Sequence, residues 1–221
     1  MELFFPDLTK LKPTILSTVL KATEEYGELS REVHNISNAK NNQKELQKNV
    51  PLVLGELLDV AQTMFTLIYF MKKTNMMTSD FLEERLKTHV SKLVNKGYLD
   101  SSLKKDNQYK NGFHQNGDMF IILPRCNKIV FSSVETGILL TTLKLGEEIG
   151  ELAQAVGKHS GLSGEVNVKT DNVVLQKIVD NMLDVAQTCC TLLYIFQDEY
   201  RVNVESLLIS HRKKLEEHGY C

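Results

Sequence analysis

Apolar positions recur at alternating steps of four and three in two separate stretches of the chain. Ile15, Val19, Ala22, Tyr26, Leu29 and Val33 form one series, and Ile138, Thr142, Leu145, Ile149, Leu152 and Val156 form the other. Each spacing predicts an amphipathic helix with one face turned towards a core. Pro13 suits the start of the first helix, where a missing N–H costs nothing. A second helix is predicted from near Pro51 to about Lys72, with a counterpart through Val185 to Gln197; both are apolar nearly all round and belong at the centre of a bundle. A third opens near Asp80, with Glu83 placed for a capping box, and closes at Gly97; its counterpart ends at Gly219.

The polar stretches are predicted to separate these elements. Residues Asn35 to Asn49 are rich in Asn, Lys and Gln, and His159 to Thr170 carry Gly and Ser, so both read as solvated loops. Met1 to Lys12 form a lead-in with Phe4 and Phe5 as exposed aromatics. Leu99 to Ser133 form a connector: a turn-rich piece, Asp106 to Gly112, then Met119 to Pro124, which is either a short strand or an extended run packed on the bundle.

The two helical sets share more than periodicity. Lys21-Ala22-Thr23-Glu24-Glu25-Tyr26-Gly27-Glu28-Leu29 is echoed by Lys144-Leu145-Gly146-Glu147-Glu148-Ile149-Gly150-Glu151-Leu152, and the run Leu-Asp-Val-Ala-Gln-Thr occurs at 58–63 and again at 183–188. The register is nearly constant: Glu28 lies 123 residues before Glu151, Asp59 lies 125 before Asp184, and His89 lies 122 before His211. This period is too long for a solenoid. It implies an all-α fold made by tandem duplication of a helical unit: a first repeat over 1–98, a connector over 99–133 and a second repeat over 134–221.

Composition narrows the class. The 221 residues are 42% hydrophobic and 24% charged, enough to bury a sizeable core, and the net charge of −2 gives no broad basic surface for nucleic acid or membrane. The four cysteines, Cys126, Cys189, Cys190 and Cys221, lack a CxxC spacing and read as reduced thiols of a cytoplasmic protein. Met1, Glu2, Pro6 and Asp7 do not make the basic start of a secretory signal. The most apolar runs, Val60 to Met71 and Val185 to Gln197, are too short to span a bilayer.

The candidate chemistry lies in the acids. Glu25 with Glu28, and Glu56 with Asp59, are three apart on their helices and project from one side each. Unpaired carboxylates in a packed interior cost several kcal/mol, roughly, so four on facing helices need cations. All-oxygen clusters suit hard ions, Mg²⁺ above all, with Mn²⁺ fitting the same ligands. The second set offers Glu148, Glu151 and Asp184, but Asn181 stands where Glu56 stands in the first. That set is expected to bind the ion more weakly. Glu24 and Glu147 lie about 100° round their helices from the inward acids and are expected to be solvated.

The arrangement Glu25-Tyr26-Gly27-Glu28, a loop, then Glu56-Leu57-Leu58-Asp59 resembles the MazG-like, all-α nucleoside triphosphate pyrophosphatase superfamily, which includes the dimeric dUTPases and phosphoribosyl-ATP pyrophosphatase. The resemblance covers both sets and leaves out the connector. It implies that Glu25, Glu28, Glu56 and Asp59 are Mg²⁺ ligands and catalytic residues, and that a nucleoside triphosphate is cleaved to monophosphate and pyrophosphate. It further implies a single-chain pseudo-dimer, in which the twin set stands in for the family's partner subunit; association of further chains is compatible with this. Basic residues of the third helix, Lys92 and Lys214 with His89 and His211 one turn earlier, are the substrate-binding candidates by the same resemblance, although such lysines also suit a helix C-terminus. Lys21 and Lys144 serve equally as helix-surface partners of their acids.

Three other readings compete. The acids form surface ion pairs with Lys21 and Arg31; yet Glu56 and Asp59 sit in an apolar run with no basic residue after them before Lys72. A di-iron bundle needs Glu-x-x-His pairs, which neither set has. A duplicated fold that binds a nucleotide or protein without turnover is favoured by Asn181 and opposed by the intact first quartet. Glu28 and Glu56 are both candidates for a general base, and Phe4, Phe5 and Tyr69 for stacking on a base or for the core.

Overall fold

The computed structural model describes residues 1–39, 42–100, 109–162 and 171–221. Among these, the α-helices are α1 (Ile15–Ala39), α2 (Gln43–Lys73), α3 (Ser79–Asn95), α4 (Val134–His159), α5 (Asp171–Tyr200) and α6 (Val204–Glu217). Three short strands, β1 (Glu2–Phe5), β2 (Lys110–Phe113) and β3 (Met119–Ile122), accompany them. The chain is mostly helical, as the periodicity predicts.

α1 pairs with α2 and α4 with α5; the two pairs face each other through α1 against α4 and α2 against α5. Ser37 Oγ meets Glu135 Oε1 at 3.0 Å while Tyr26 lies over Gly146, so α1 and α4 run antiparallel. The third helices cross over: α3 packs on α5, and α6 packs on α2. Each half of the chain therefore supplies its last helix to the other half.

Local chemistry sets the helix ends. Thr14 and Ser17 cap α1 reciprocally, each side-chain oxygen accepting the other's backbone N–H at 3.1 and 2.8 Å, so Pro13 lies just outside the helix. α3 is capped by Thr78, which accepts from Phe81 N, and Asp80 lies inside the first turn. Gly97 and Gly219 have φ of +76° and +72°, and each is followed by a residue whose N–H returns to the helix, Tyr98 to Leu93 O and Tyr220 to Leu215 O.

The described residues of the expected loop over 35–49 are largely helical. α1 continues through Asn35 to Ala39, and α2 opens at Gln43, with Asn42 accepting from Glu45 N. Gln43 to Lys48 are good helix formers, and Leu46 and Val50 give the segment an inward face, which outweighs its polar composition. Pro51 thus lies within α2. In the other half, α4 extends through His159 and a turn follows; residues 163–170 of the expected loop, like 101–108 of the connector, lie outside the described residues.

The lead-in is a strand. β3 lies between β1 and β2, antiparallel to both, with Glu2 and Lys110 opposite Ile122. Leu3, Phe5, Met119 and Ile121 point into the core. Phe5, expected to be exposed, is fully buried against Phe65, while Phe4 is half-buried, edge-on to His114. Tyr69 belongs to the core, its hydroxyl accepting from Met119 N at 2.6 Å and donating to Phe5 O at 3.1 Å.

By length and composition α2 could cross a membrane, but 78% of the relevant window is buried within the protein. The four cysteines are free thiols, and all but Cys221 are buried.

Candidate active site

The first acidic set converges. Glu25, Glu56 and Asp59 each present a carboxylate oxygen within 4.8 Å of the others, and Glu28 lies close enough to Glu56 to repel its charge. α1 and α2 position these groups because the three-residue spacing puts each pair on the face its helix turns to its neighbour. The four acids line a cavity of about 490 Å³, with Lys21, Gln62 and Lys214 among its walls.

Lys21 Nζ reaches Glu25 at 2.6 Å and Glu24 at 3.0 Å. Lys214 Nζ, arriving on α6 from the other half, reaches Asp59 at 3.0 Å. Two lysines against four carboxylates leave two negative charges. Like charges at about 4.8 Å repel by about 3 kcal/mol at an effective dielectric near 20, so the remaining pair is costly.

The electrostatics record that cost. Burial, then repulsion from Glu28, Asp59 and Glu25, pushes the Glu56 carboxyl up to about 7. Glu25 is also raised, by burial and by Asp59, against the pull of Lys21. His211 is buried with Nδ1 3.9 Å from Asp59, and burial drives its pKa down to about 4. Three carboxylate oxygens this close, incompletely neutralised, could hold a metal ion: a divalent cation matches both their charge and their all-oxygen chemistry.

The second set is arranged otherwise. Lys144 reaches Glu148 at 2.7 Å and Glu147 at 3.0 Å, as Lys21 reaches Glu25 and Glu24. Asp184, however, is held by His89 Nδ1 at 3.3 Å and Lys92 Nζ at 2.5 Å. Burial would raise its carboxyl, but these two partners hold it below the usual range. Arg85 on α3 adds a bidentate pair with Asp180 at 2.7 and 2.6 Å. In the first set the matching positions are Leu207 and Gly55, which have no charge. Asn181 is buried, and its Nδ2 lacks a hydrogen-bond partner. Glu151 is exposed, and among the described residues no second trio of acids comes together. The neighbouring cavity measures only about 180 Å³.

The third-helix residues therefore meet the acids of the opposite set: His211 and Lys214 meet Asp59, and His89 and Lys92 meet Asp184. Lys21 is half-exposed and pairs with Glu24 and Glu25 along its own helix, the helix-surface partnership its spacing predicts, whereas Arg31 pairs with Glu32. Neither Gly27 nor Gly150 is approached by another helix; the close approach is at Gly146, where a Cβ would lie 2.4 Å from the Tyr26 hydroxyl. Phe4, Phe5 and Tyr69 lie outside the acidic cavity, and Leu11, Thr18, Gln62, Thr63, Thr66 and Tyr220 line it instead. The available signal was Gln62-Thr63, two polar residues in an apolar helix and in the repeated run.

No protein-family model, curated protein or solved structure matches the chain.

Proposed function

We propose that the chain is a Mg²⁺-dependent nucleoside triphosphate pyrophosphohydrolase, converting a nucleoside triphosphate to the monophosphate and pyrophosphate at the first acidic set. The carrying observation is the convergence of Glu25, Glu56 and Asp59, with Glu28, in a cavity large enough for a nucleotide. Resemblance of the two Glu-x-x-Glu/Asp motifs to the MazG-like superfamily supports the same reading. Glu25, Glu28, Glu56 and Asp59 would hold the ions; bound divalent cations neutralise a polyphosphate and polarise its phosphoryl groups.

The chain's own groups supply the rest. Lys21 and Lys214 flank the carboxylates at the cavity wall and would supply positive charge to a bound polyphosphate. Glu28 and Glu56 lie beside each other at this site, and either carboxylate could take a proton from an attacking water. Asp59 is oriented by Lys214 from α6, so the opposite half of the chain completes the site.

In this reading the chain is a duplicated helical unit folded as a single-chain, cytoplasmic pseudo-dimer, with its second site converted to structural use. The ion pairs of Asp184 and Asp180, Asn181 and the smaller cavity support that assignment.

The test is a panel of ribo- and deoxynucleoside triphosphates with Mg²⁺, followed by phosphorus NMR. Monophosphate and pyrophosphate are expected, and Asp59→Ala should lower turnover by about a thousandfold, the scale of removing a group essential to transition-state stabilisation. Diphosphate and inorganic phosphate as products, or no product, would reject the assignment.

A further inference from the structure

α1 and α4 pack side by side, and their outward faces carry the same pattern of residues. Leu20 and Leu143 are 62% and 66% exposed, and Leu16 and Leu139, one turn before them, are 42% and 38% exposed. Further along stand Gly27 and Gly150, each in mid-helix, where glycine is the poorest helix former after proline. Among the described residues nothing comes within 4 Å of where their Cβ atoms would stand. Packing within one chain therefore accounts for neither the four exposed leucines nor the two glycines.

At about 100° per residue, Leu16, Leu20 and Gly27 fall within an arc of about 40°, and so do Leu139, Leu143 and Gly150. The flank of each arc is polar, with exposed Glu24 and Arg31 on α1 and exposed Glu147 and Gln154 on α4. An apolar strip inside a polar rim is the anatomy of a protein interface; a helix lying in a membrane surface carries lysine and arginine along its polar face instead. The antiparallel register is fixed where Ser37 meets Glu135 and Tyr26 meets Gly146. In that register Leu20 lies abreast of Leu152, two residues from Gly150, and Leu143 lies abreast of Leu29, two residues from Gly27. The face thus has a two-fold arrangement of its own, the leucines of each helix lying beside the glycine of the other.

That arrangement selects the occupant. A second copy, turned face to face about either axis in the plane of the two helices, brings its leucines to within about 3 Å, measured along the helix, of the first copy's glycines. Side chains that project then meet positions that have none, and a partner lacking the two-fold would match only half of the face. From Leu16 to His34 the face is about 27 Å long and two helices wide, about 20 Å, so it offers about 500 Å² per copy. Two copies reach about 1,000 Å², the size at which specific interfaces begin. We propose that the outward face of α1 and α4 is a homodimer interface, on which a second copy of this chain packs its leucines against Gly27 and Gly150. The proposal does not depend on the activity of the acidic set.

Sedimentation velocity of the full-length chain at about 50 µM, above the micromolar Kd expected of an interface this small, should show a species of twice 25.1 kDa. Leu20→Glu combined with Leu143→Glu should raise the dimer Kd by at least about a hundredfold, because four carboxylates would lose water at the contact. Gly27→Gln combined with Gly150→Gln is the sharper variant. Both positions are open in the single chain and glutamine is the better helix former, so melting of the diluted monomer should hold or rise while the dimer is lost. A natural chain that sediments as one copy overturns the proposal, and its flotation with phosphatidylcholine vesicles would assign the face to a membrane instead. A dimer that survives in either folded double variant also overturns it, by placing the contact elsewhere. If the leucine variant does not fold, the glycine variant decides; failure of the glycine variant to fold overturns the proposal, since those positions must be free within one chain.

Discussion

Glu56 is the residue at which the proposed function and stability oppose each other. Its folded-state pKa, raised to about 7 by burial and by three neighbouring acids, lies above the ordinary glutamate value of 4.5. The folded chain therefore binds this proton more tightly than the unfolded chain, so the stability it contributes is complete below about 4.5 and is lost as pH rises through 7. His211 acts in the opposite sense: held neutral with a pKa near 4, it withdraws stability as pH falls from 6.5 towards 4. Comparison with Glu56→Gln cancels the histidine and isolates the acid. With a chelator present, Glu56→Gln should melt higher than the natural chain at pH 8.5, and the gap should close at pH 5.5; parallel melting curves would contradict the assignment. If the acids hold Mg²⁺ as proposed, added Mg²⁺ should reverse the order at pH 8.5, because an ion bound to the ionised carboxylates stabilises only the folded state that assembles them. The same variant should be inactive at every pH.

At the scale of elements, the exchange of third helices decides which residues serve which site. Helix existence and the acidic faces were legible in the sequence because amphipathic spacing and three-residue acid pairs are local signals. The partner of each third helix was not legible: the motif around His211 and Lys214 is the same whether α6 packs on α5 or on α2. Nor was the start of α2, since Gln43 to Lys48 are polar enough for a loop yet good helix formers, nor the burial of Phe5, which depends on β3 lying more than a hundred residues away.

The exchange makes two sets of mutations separable. Lys214→Ala removes the cation on Asp59 and should lower kcat/KM by about tenfold or more with little effect on melting, since the lysine is half-exposed and exposed ion pairs contribute at most about 1 kcal/mol. Asp184→Ala leaves His89 buried and Lys92 without its carboxylate, and should destabilise the chain by about 3 kcal/mol, at the low end for a broken buried pair, while turnover at the first site changes less than about threefold. Pyrophosphate assays and thermal melts on both variants check this. Loss of activity in Asp184→Ala matching that of Asp59→Ala would show the second site to be catalytic after all.

For the whole molecule, the contacts between halves are asymmetric, and this asymmetry specifies assembly. β1 needs β3 from within the connector, α6 sits on α2, and α3 sits on α5. If two copies of 1–100 associated with each other, α3 would bring Arg85 against Gly55, leaving a guanidinium without its bidentate partner at a half-closed surface. In the natural arrangement Asp180 receives it at 2.6 and 2.7 Å. Expressed as separate chains, 1–100 and 109–221 should therefore prefer each other to themselves. Native mass spectrometry of an equimolar mixture should show the one-to-one complex in excess over both homodimers, with pyrophosphatase activity restored only on mixing. Arg85→Leu with Asp180→Gly should weaken that preference, because these changes copy Leu207 and Gly55 and make the two crossings alike. Undiminished preference in the double variant would move the specificity elsewhere, to the β1–β3 pairing that a homodimer of 1–100 cannot form.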